Sequence, residues 1–533
     1  MSSINDKKPL GKAYWRSLNE LEDSPEFQRH VNREFPYLDD EAAAGKVNRR
    51  QFLTIMGASM ALGGLAACRR PAESIVPYVT PPEEVIPGRP LFFATTMPFG
   101  EEAFGLLAES HEGRPTKLEG NPLHPSTLGA SNSWIQASVL DMYDVDRTPA
   151  ILANPASESA PGTPTKLDAF QKFWGERYAA LKSKEGVGLV VLTEEVSSPS
   201  ASRMLGELKK NLPEAQVVAY APVSNEKRYA GYKQSFGSAV RPIYQFEKAD
   251  VILSIGSDFL LTEDDNIRNA KAFAARRKPD HPAGMNRLYV VESGFTITGG
   301  KSDHRRRLRA SKVGRFAAAL AGALGLANSV AAPTDEPFFK AVVQDLKKAG
   351  KKALVVAGRN QSAEVHALVA AINDKLGNTG QTVSYIEPKD ALLSNAAAAQ
   401  SVVTGLNEGT VTDLVILGGN PALNLPGFEA AFKAAAANKD FASIRWGARL
   451  DDSSIGASYH VPAAHYLESW GDARALNGVL SVVQPLIAPL YKDAKSQLEM
   501  LGLLATGAFT DGYAAVRETW SAVLGSVNFD SKW

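Results

Sequence analysis

Short apolar runs alternate along this chain with longer amphipathic stretches, and this alternation limits the fold more than any other feature of the sequence. Apolar runs bounded by glycine or polar turns predict buried strands, and the stretches between them predict covering helices. Alternating strands and helices favour an α/β architecture built around parallel sheets. The predicted strands cover residues 187–193, 249–255, 287–291, 353–357 and 413–417. Alanine-rich stretches at 317–332 and 396–437 predict tightly packed helices.

Glycine or polar turns follow three of these predicted strands at the point where each strand ends. The turns contain Gly256, Ser257 and Asp258, then Gly358, then Gly418, Gly419 and Asn420. Ligands of open parallel sheets bind at such ends, where glycine permits close backbone approach and helix N-termini favour phosphate. Similar turns also occur for packing alone, so each remains either a phosphate contact or a structural turn.

Charge and cysteine content exclude several classes of protein. The 533 residues include 58 Lys and Arg against 58 Asp and Glu, so no global field would attract nucleic acid. The chain has one cysteine, Cys68. A single thiol excludes internal disulfides, four-thiolate zinc sites and an iron–sulfur cluster held by this chain's own cysteines.

The strongest targeting motif lies near residue 50. Arg49 and Arg50 open a twin-arginine pattern, and an uncharged apolar run follows them. This run is shorter than the roughly 20 residues that span a bilayer, and it ends in a lipobox-like segment at Cys68. Three interpretations remain open: acylation of Cys68, an uncleaved signal, or an ordinary buried helix. The pattern predicts passage of the folded chain through the Tat translocase to the periplasmic face of the inner membrane.

Three segments precede the predicted α/β body. Residues 1–48 form a leader, which is either a solvated segment or a docking segment for a partner or an export chaperone. Residues 49–68 form the export signal. Residues 69–90 form a proline-rich tether, because proline fixes φ and lacks a backbone donor. The body is therefore expected to begin near residue 91.

Two ordered motifs carry a resemblance to a known family. The first spans 113–122, beginning Gly113-Arg114-Pro115, and is followed by His124; the second spans 143–147. This pair resembles the N-terminal region of the molybdopterin oxidoreductases. Further segments are similar, in order, to the family's strand ends and pterin-nucleotide turns, at 251–258, 290–303, 418–421 and 461–471.

The resemblance implies the fold of domains 1 to 3 of formate dehydrogenase and dimethyl sulfoxide reductase. It implies parallel-sheet, Rossmann-like units without the family's C-terminal β-barrel. The implied domains are a vestigial iron–sulfur domain at 91–147, a first α/β part at 148–345 and a second at 346–533. The resemblance then implies that the glycine turns named above are vestigial forms of the family's pterin-nucleotide turns.

The positions that hold the family's metals carry other side chains here. The family's four cluster cysteines correspond to Met97, Gly100, Phe104 and Ser131. None is a thiolate, so the resemblance implies a cluster site without ligands. The family's molybdenum ligand corresponds to the stretch 220–237, where Ser224 is the candidate side chain and Pro222 matches the position equally well. Serine in a loop is more often a turn or cap residue.

These departures together resemble one branch of the superfamily, the large periplasmic subunit of alternative complex III, a quinol-oxidising respiratory complex. The resemblance implies a non-catalytic scaffold without cofactors of its own. The implied partners are an iron–sulfur ferredoxin-like subunit or domain, a membrane quinol-oxidising subunit and c-type haem subunits. We therefore expect no catalysis by the chain alone, within a complex that passes electrons from quinol to an acceptor.

Two alternatives remain open. An active molybdopterin enzyme would keep molybdopterin guanine dinucleotide at the glycine turns and exchange electrons with another subunit. A periplasmic binding protein would use the same strand ends for a small nucleotide-like ligand. Bound molybdenum distinguishes the first alternative, and a bound organic ligand without metal distinguishes the second.

Overall fold

The described part of the chain lies almost entirely in its second compact unit. A computed structural model describes residues 24–25, 85–157, 159–327 and 336–533. The chain divides into units at Met1–Glu83 and Glu84–Trp533, and every labelled helix and strand below belongs to the second. Arg49, Arg50 and Cys68, with the predicted export and lipidation roles, lie outside the described residues.

The predicted tether is described only at its end. Residues 85–90 contain a turn in which the backbone N–H of Arg89 donates to the carbonyl of Ile86 at 3.0 Å. The first strand begins at Leu91, where the body was expected to begin.

A small antiparallel sheet with one covering helix opens the body. Its strands, in spatial order, are β1 (Leu91–Phe99), β2 (Glu102–His111) and β3 (Arg114–Gly120). Helix α1 (Ser133–Met142) packs against β3. The side chain of Asn132 caps this helix by accepting from the backbone N–H of Ile135 at 3.0 Å. These elements occupy the segment predicted as a small iron–sulfur-type domain.

Strands and helices alternate through the rest of the described chain. The strands are β4 (Leu152–Ala153), β5 (Thr163–Pro164), β6 (Leu189–Thr193), β7 (Gln216–Ala219), β8 (Arg241–Tyr244), β9 (Val251–Ile255), β10 (Arg287–Glu292), β11 (His304–Arg307), β12 (Ala353–Ala357), β13 (Val383–Ile386), β14 (Asp413–Leu417), β15 (Ala442–Gly447), β16 (Tyr459–Pro462), β17 (Gly471–Arg474) and β18 (Leu480–Val483). The helices are α2 (Leu167–Ser183), α3 (Pro199–Asn211), α4 (Glu226–Phe236), α5 (Asn266–Ala275), α6 (Ile297–Gly300), α7 (Ala310–Ala323), α8 (Pro337–Ala349), α9 (Ala363–Leu376), α10 (Ala396–Glu408), α11 (Pro421–Asn424), α12 (Phe428–Ala436), α13 (Gln497–Thr506), α14 (Gly512–Leu524) and α15 (Phe529–Lys532). The five predicted strands are confirmed as β6, β9, β10, β12 and β14.

Two sheets organise these strands. The larger has the order β5-β4-β16-β15-β14-β6-β7 and is parallel from β16 to β7. The smaller has the order β11-β10-β9-β12 and is parallel throughout. Two antiparallel pairs complete the set, β8 with β13 and β17 with β18.

Helices cover both faces of each parallel sheet. Apolar side chains of α2, α3 and α13 pack on one face of the larger sheet, and those of α10 and α12 pack on the other. In the smaller sheet, α7, α8 and α9 cover one face, and α5 covers the other with Phe246 and Phe259. Because both faces are covered, β6, β9, β12 and β14 are buried along their whole length.

The division predicted at residue 345 does not follow the sheets. Strand β12, after this point, pairs with β9 before it. Strand β14 likewise pairs with β6. The predicted boundary divides the chain in sequence order, whereas each sheet takes strands from both parts of the chain.

Candidate functional site

A cavity of about 940 Å³ opens at the carboxyl ends of β6 and β14. The β1–β2 turn, the start of α1, and the residues that follow β6 and β14 contribute to its walls. The loop before α4 contributes as well. Strands β6 and β14 are parallel neighbours, so their carboxyl ends meet at one edge of the sheet. This is where open parallel sheets bind their ligands, and the cavity is therefore the candidate functional site.

Carboxylates dominate the charged lining of this cavity. The carboxylate residues are Glu101, Glu102, Glu194, Glu195, Glu263, Asp264 and Asp472. Arg359 is the only lysine or arginine among the described lining residues. Since like charges repel strongly where protein excludes much of the water, this lining disfavours an anionic nucleotide.

The predicted turn at Gly418, Gly419 and Asn420 lines the cavity, and a carboxylate of the same chain lies against it. Gly418 and Gly419 adopt φ of 80° and 62°, in the left-handed region that favours glycine. A Cβ added to Gly418 would lie 2.3 Å from Oε2 of Glu194. Burial raises the pKa of Glu194, against the opposing effects of Arg445 and a hydrogen bond from the backbone of Gly419. Glu194 therefore lies where a phosphate would bind this turn.

The predicted turn at Gly358 also contacts an internal carboxylate. The backbone N–H of Arg359 donates to Oε1 of Glu263 at 3.0 Å. A Cβ added to Gly358 would lie 1.9 Å from the carbonyl oxygen of Gly256, so the turns after β12 and β9 pack directly on each other. Gly358 and Gly256 do not line the cavity.

The polar groups of Ser257 and Asp258 are likewise engaged within the protein. The carbonyl of Ser257 accepts from the hydroxyl of Ser254 at 2.7 Å. Oδ1 of Asp258 accepts from the backbone N–H of Thr298 at 2.9 Å and from its hydroxyl at 2.7 Å. At the turns after β14 and β12, then, carboxylates of the chain itself take backbone donors that a phosphate needs. At the turn after β9, the backbone N–H of Ser257 donates to the hydroxyl of Ser254. These residues do not fit an anionic pterin nucleotide.

The four positions matched to cluster cysteines serve packing, a turn or a local hydrogen bond. Met97 and Phe104 face each other across β1 and β2 and are buried in the apolar core of the small sheet. Gly100 forms the turn between these strands with φ of 56°. The hydroxyl of Ser131 accepts from the side chain of Gln136 at 2.8 Å. An iron–sulfur cluster does not fit this donor set, because it needs thiolates.

The weak molybdenum-ligand candidate, Ser224, does not line the cavity. Residues 220–223 and Asn225, on either side of it, do. Ser224 is half-buried and immediately precedes Asn225, the N-cap position of α4. This placement is typical of a turn residue.

Sequence reasoning did not identify the carboxylates that define the site. Glu194 and Glu195 directly follow a predicted strand, and Glu101 and Glu102 directly follow Gly100, a position already singled out. A search for charged residues at strand ends would have found the first pair. Their meeting with Asp264 depends on the tertiary structure.

The motifs that carried the family resemblance meet in a buried ion pair. Arg147 and Glu468 have side chains 2% and 0% exposed, with Nη2 of Arg147 2.7 Å from Oε2 of Glu468. Arg147 also donates to the carbonyls of Met142 and Ala463. Although burial alone raises it, hydrogen bonds from Arg147 and the backbone hold the pKa of Glu468 below its ordinary value. These motif residues therefore fasten the small sheet to the α/β body.

Neither a metal site nor a membrane-spanning helix is found in the described part of the chain. No group of three or more His, Cys, Asp or Glu side chains there is arranged to hold a metal ion. No helix there has the length and apolar character needed to cross a bilayer.

The fold is that of the molybdopterin oxidoreductases. Acetylene hydratase from Pelobacter acetylenicus superposes on the chain with a TM-score of 0.55 and 13% sequence identity. The match covers 75% of this chain and 67% of the hydratase.

A curated relative adds a sequence similarity to this fold. The chain is 24% identical over 452 residues to the menaquinone reductase molybdopterin-binding-like subunit of Nitratidesulfovibrio vulgaris. The alignment covers 75% of this chain but 63% of the relative, so the chain spans less than two thirds of that protein. No family model matches the chain. Together the two similarities relate the chain to the molybdopterin oxidoreductase-like superfamily.

Proposed function

We propose that this chain is a cofactor-free subunit of a quinone-linked electron-transfer complex. The relative supports the quinone link, because it is a molybdopterin-binding-like subunit of a menaquinone reductase. The fold supports a common origin with enzymes that bind pterin nucleotides at parallel strand ends. The subunit keeps the scaffold of such enzymes without their redox centre.

The occupation of the strand-end turns by internal carboxylates carries this proposal. Glu194 lies against the Gly418 turn, and Glu263 accepts from the backbone after β12. A carboxylate and a phosphate compete for the same backbone donors. Binding a nucleotide here would displace Glu194 and place negative charge beside Glu195 and Asp264. Both steps cost free energy, so the cofactor-free state is favoured.

The finer proposal is a scaffold in an alternative complex III. In this role the chain holds an iron–sulfur ferredoxin-like partner beside a membrane quinol-oxidising subunit, and electrons continue to c-type haem subunits. The twin arginines at Arg49 and Arg50 support Tat export, and Cys68 supports a lipid anchor at the periplasmic face. The single cysteine supports an electron path through a partner, because the chain lacks the thiolates for its own cluster.

Metal and nucleotide analysis of the full chain tests the proposal. The chain is purified alone and together with its co-purifying proteins, from cells that make molybdopterin guanine dinucleotide. We expect no stoichiometric molybdenum, iron or guanine nucleotide in the chain alone, and iron in the complex. Stoichiometric molybdenum with guanine nucleotide in the chain alone would overturn the proposal in favour of an active molybdopterin enzyme. An organic ligand without metal would favour a binding protein.

A further inference from the structure

Five of the seven carboxylates that line the cavity form no ion pair among the described residues. Arg228 and Arg359 form ion pairs with Glu263 and Asp264. No ion pair of the described residues includes the three glutamates on the wall near the β1–β2 turn. These are Glu101, Glu102 and Glu195. These three carboxyl groups therefore have no cation bonded to them, although Arg359 lies near enough to lower the pKa of Glu102 and of Glu195.

These carboxylates lie close enough to repel one another. Burial is the largest cause that raises the pKa of Glu195, and repulsion from Glu101 is the next; the pKa reaches about 8. The pKa of Glu102 is well above its ordinary value, mainly because of burial and secondly because of repulsion from Asp264. Oε2 of Glu195 lies 3.9 Å from the position of a Cβ on Gly100, which places it against the β1–β2 turn. A positive charge placed between Glu101 and Glu195 would relieve this repulsion.

An amide oxygen beside these carboxylates also lacks a donor. Asn225 lines the cavity and is 4% exposed. Its Nδ2 donates to Glu101 at 3.0 Å and to Asp264 at 2.7 Å, but its Oδ1 has no hydrogen-bond partner among the described residues. A buried acceptor without a donor is costly. Glu101 also accepts from the hydroxyl of Tyr229, so the acceptor without a donor in this group is Oδ1 of Asn225.

Aromatic rings form much of the remaining wall. The rings of Phe99 and Trp134 lie 5.6 Å apart between centroids and are 38% and 61% exposed. Tyr220, Trp446 and Trp470 line other parts of the cavity. Aromatic faces attract organic cations and pack against apolar stems.

We propose that this cavity binds an organic cation, an ammonium or guanidinium group on an apolar stem, with Glu101, Glu195 and Asn225 receiving the charged group. A guanidinium carries five N–H donors and no acceptor, which suits Oδ1 of Asn225 and the carboxylates beside it. A bare metal ion matches less well, because no described group of side chains is arranged to hold one. The stem contacts the aromatic wall. The same chemistry is offered by a free amine and by an arginine side chain of a partner.

Calorimetric titration of the full chain tests this site. The probe is n-butylguanidinium, and its uncharged isostere n-butylurea is the control ligand. Titration at pH 9 keeps the Glu195 carboxyl ionised, because this pH lies above its pKa of about 8. The variants are Glu101→Gln and Glu195→Gln, and the control variant is Glu214→Gln, which is exposed and remote from the cavity lining.

We expect saturable binding of n-butylguanidinium, weakened about tenfold or more by either cavity variant and unchanged by the control. The cavity variants remove repulsion and should remain folded, which their thermal unfolding verifies. Failure of n-butylguanidinium to bind, equal binding of n-butylurea, or unchanged binding by both cavity variants would each overturn the proposal. These outcomes do not depend on metal content, so they are distinguishable from failure of the proposed function.

A second titration distinguishes the two sources of the cation. It uses the chain together with its co-purifying proteins. If n-butylguanidinium binds the chain alone but not the complex, a basic side chain of a partner occupies the cavity. If it binds both equally, the natural ligand is a free amine or guanidine.

Discussion

At the scale of single residues, charged side chains of this protein contact the strand-end turns and one another. Glu194 and Glu263 lie against backbone donors that suit phosphate. Arg147 and Glu468, from motifs that mark the family, now serve a buried ion pair. The same residue types that recognise ligands elsewhere are here satisfied within the chain.

Removing Arg147 should destabilise the protein strongly. Arg147→Met leaves Glu468 buried without its partner, which typically costs about 3–5 kcal/mol. The double variant Arg147→Met, Glu468→Leu should regain most of this loss, because it removes both charges together. Urea unfolding of the two variants and the wild type measures the difference. A double variant as unstable as the single one would show that the loss comes from packing.

The Glu195 carboxyl should make stability fall as the pH rises. Its pKa is raised to about 8 in the folded chain from an ordinary value of 4.5. The folded state therefore holds a proton that the unfolded state releases between these values, and stability is lost across this range. At pH 9, the free energy of unfolding of Glu195→Gln should exceed that of the wild type by about 1–2 kcal/mol. The difference is this small because the open cavity screens part of the effect.

At pH 4, where both states of Glu195 are protonated, the variant and the wild type should have similar stability. Thermal unfolding at the two pH values provides the comparison. An equal difference at both values would contradict the assignment of the raised pKa to this residue.

At the scale of elements, the small sheet depends on glycines at close approaches. A Cβ added to Gly120, at the end of β3, would lie 2.0 Å from the carbonyl oxygen of Ala130. A Cβ added to Gly105, in β2, would lie 2.0 Å from the ring of His124. The resemblance motif at 113–122 therefore has a structural role, since it lets the segment before α1 pack onto the sheet.

The Gly120→Ala substitution should cost more stability than Gly113→Ala in the same hairpin. The added methyl group of Gly120→Ala would push the backbone near Ala130 away from β3, which should lower the free energy of unfolding by about 2–3 kcal/mol. Gly113 has φ of 81° but open space around it, so its substitution should cost about 1 kcal/mol. Urea midpoints of the two variants measure the order. Equal losses would show that the backbone near Ala130 yields without strain.

At the scale of the whole molecule, the two parallel sheets are interleaved along the chain. The larger sheet joins β6 to β14, and the smaller joins β9 to β12. The cavity lies where elements from distant parts of the sequence meet. Its walls combine the β1–β2 turn with residues after β6 and β14.

Separate fragments should therefore fail to fold. Fragments 85–345 and 346–533 each lack strands of both sheets. We expect neither to show a cooperative thermal transition alone, whereas co-expression of both should restore one. Circular dichroism melting of each fragment and of the co-expressed pair provides the measurement. A cooperative transition in fragment 85–345 alone would contradict this expectation.

The sequence by itself determined the elements and the family of folds. Five strands were predictable because apolar runs and terminal glycines are local patterns, and β12 and β14 were placed at their observed ends. The ordered motifs predicted the architecture. The single cysteine excluded a cluster held by this chain. Each of these inferences depends on residues that are neighbours along the chain or on a count.

Only the tertiary structure decided what the strand ends contact. Gly418 was predicted to lie in a vestigial pterin-nucleotide turn, either a phosphate contact or a structural turn. The parallel pairing of β6 with β14 brings Glu194 against it. The meeting of Glu101, Glu195 and Asn225 likewise depends on three segments far apart in sequence. Periodicity describes one segment at a time, whereas the charge of a cavity depends on which segments the sheet order places side by side.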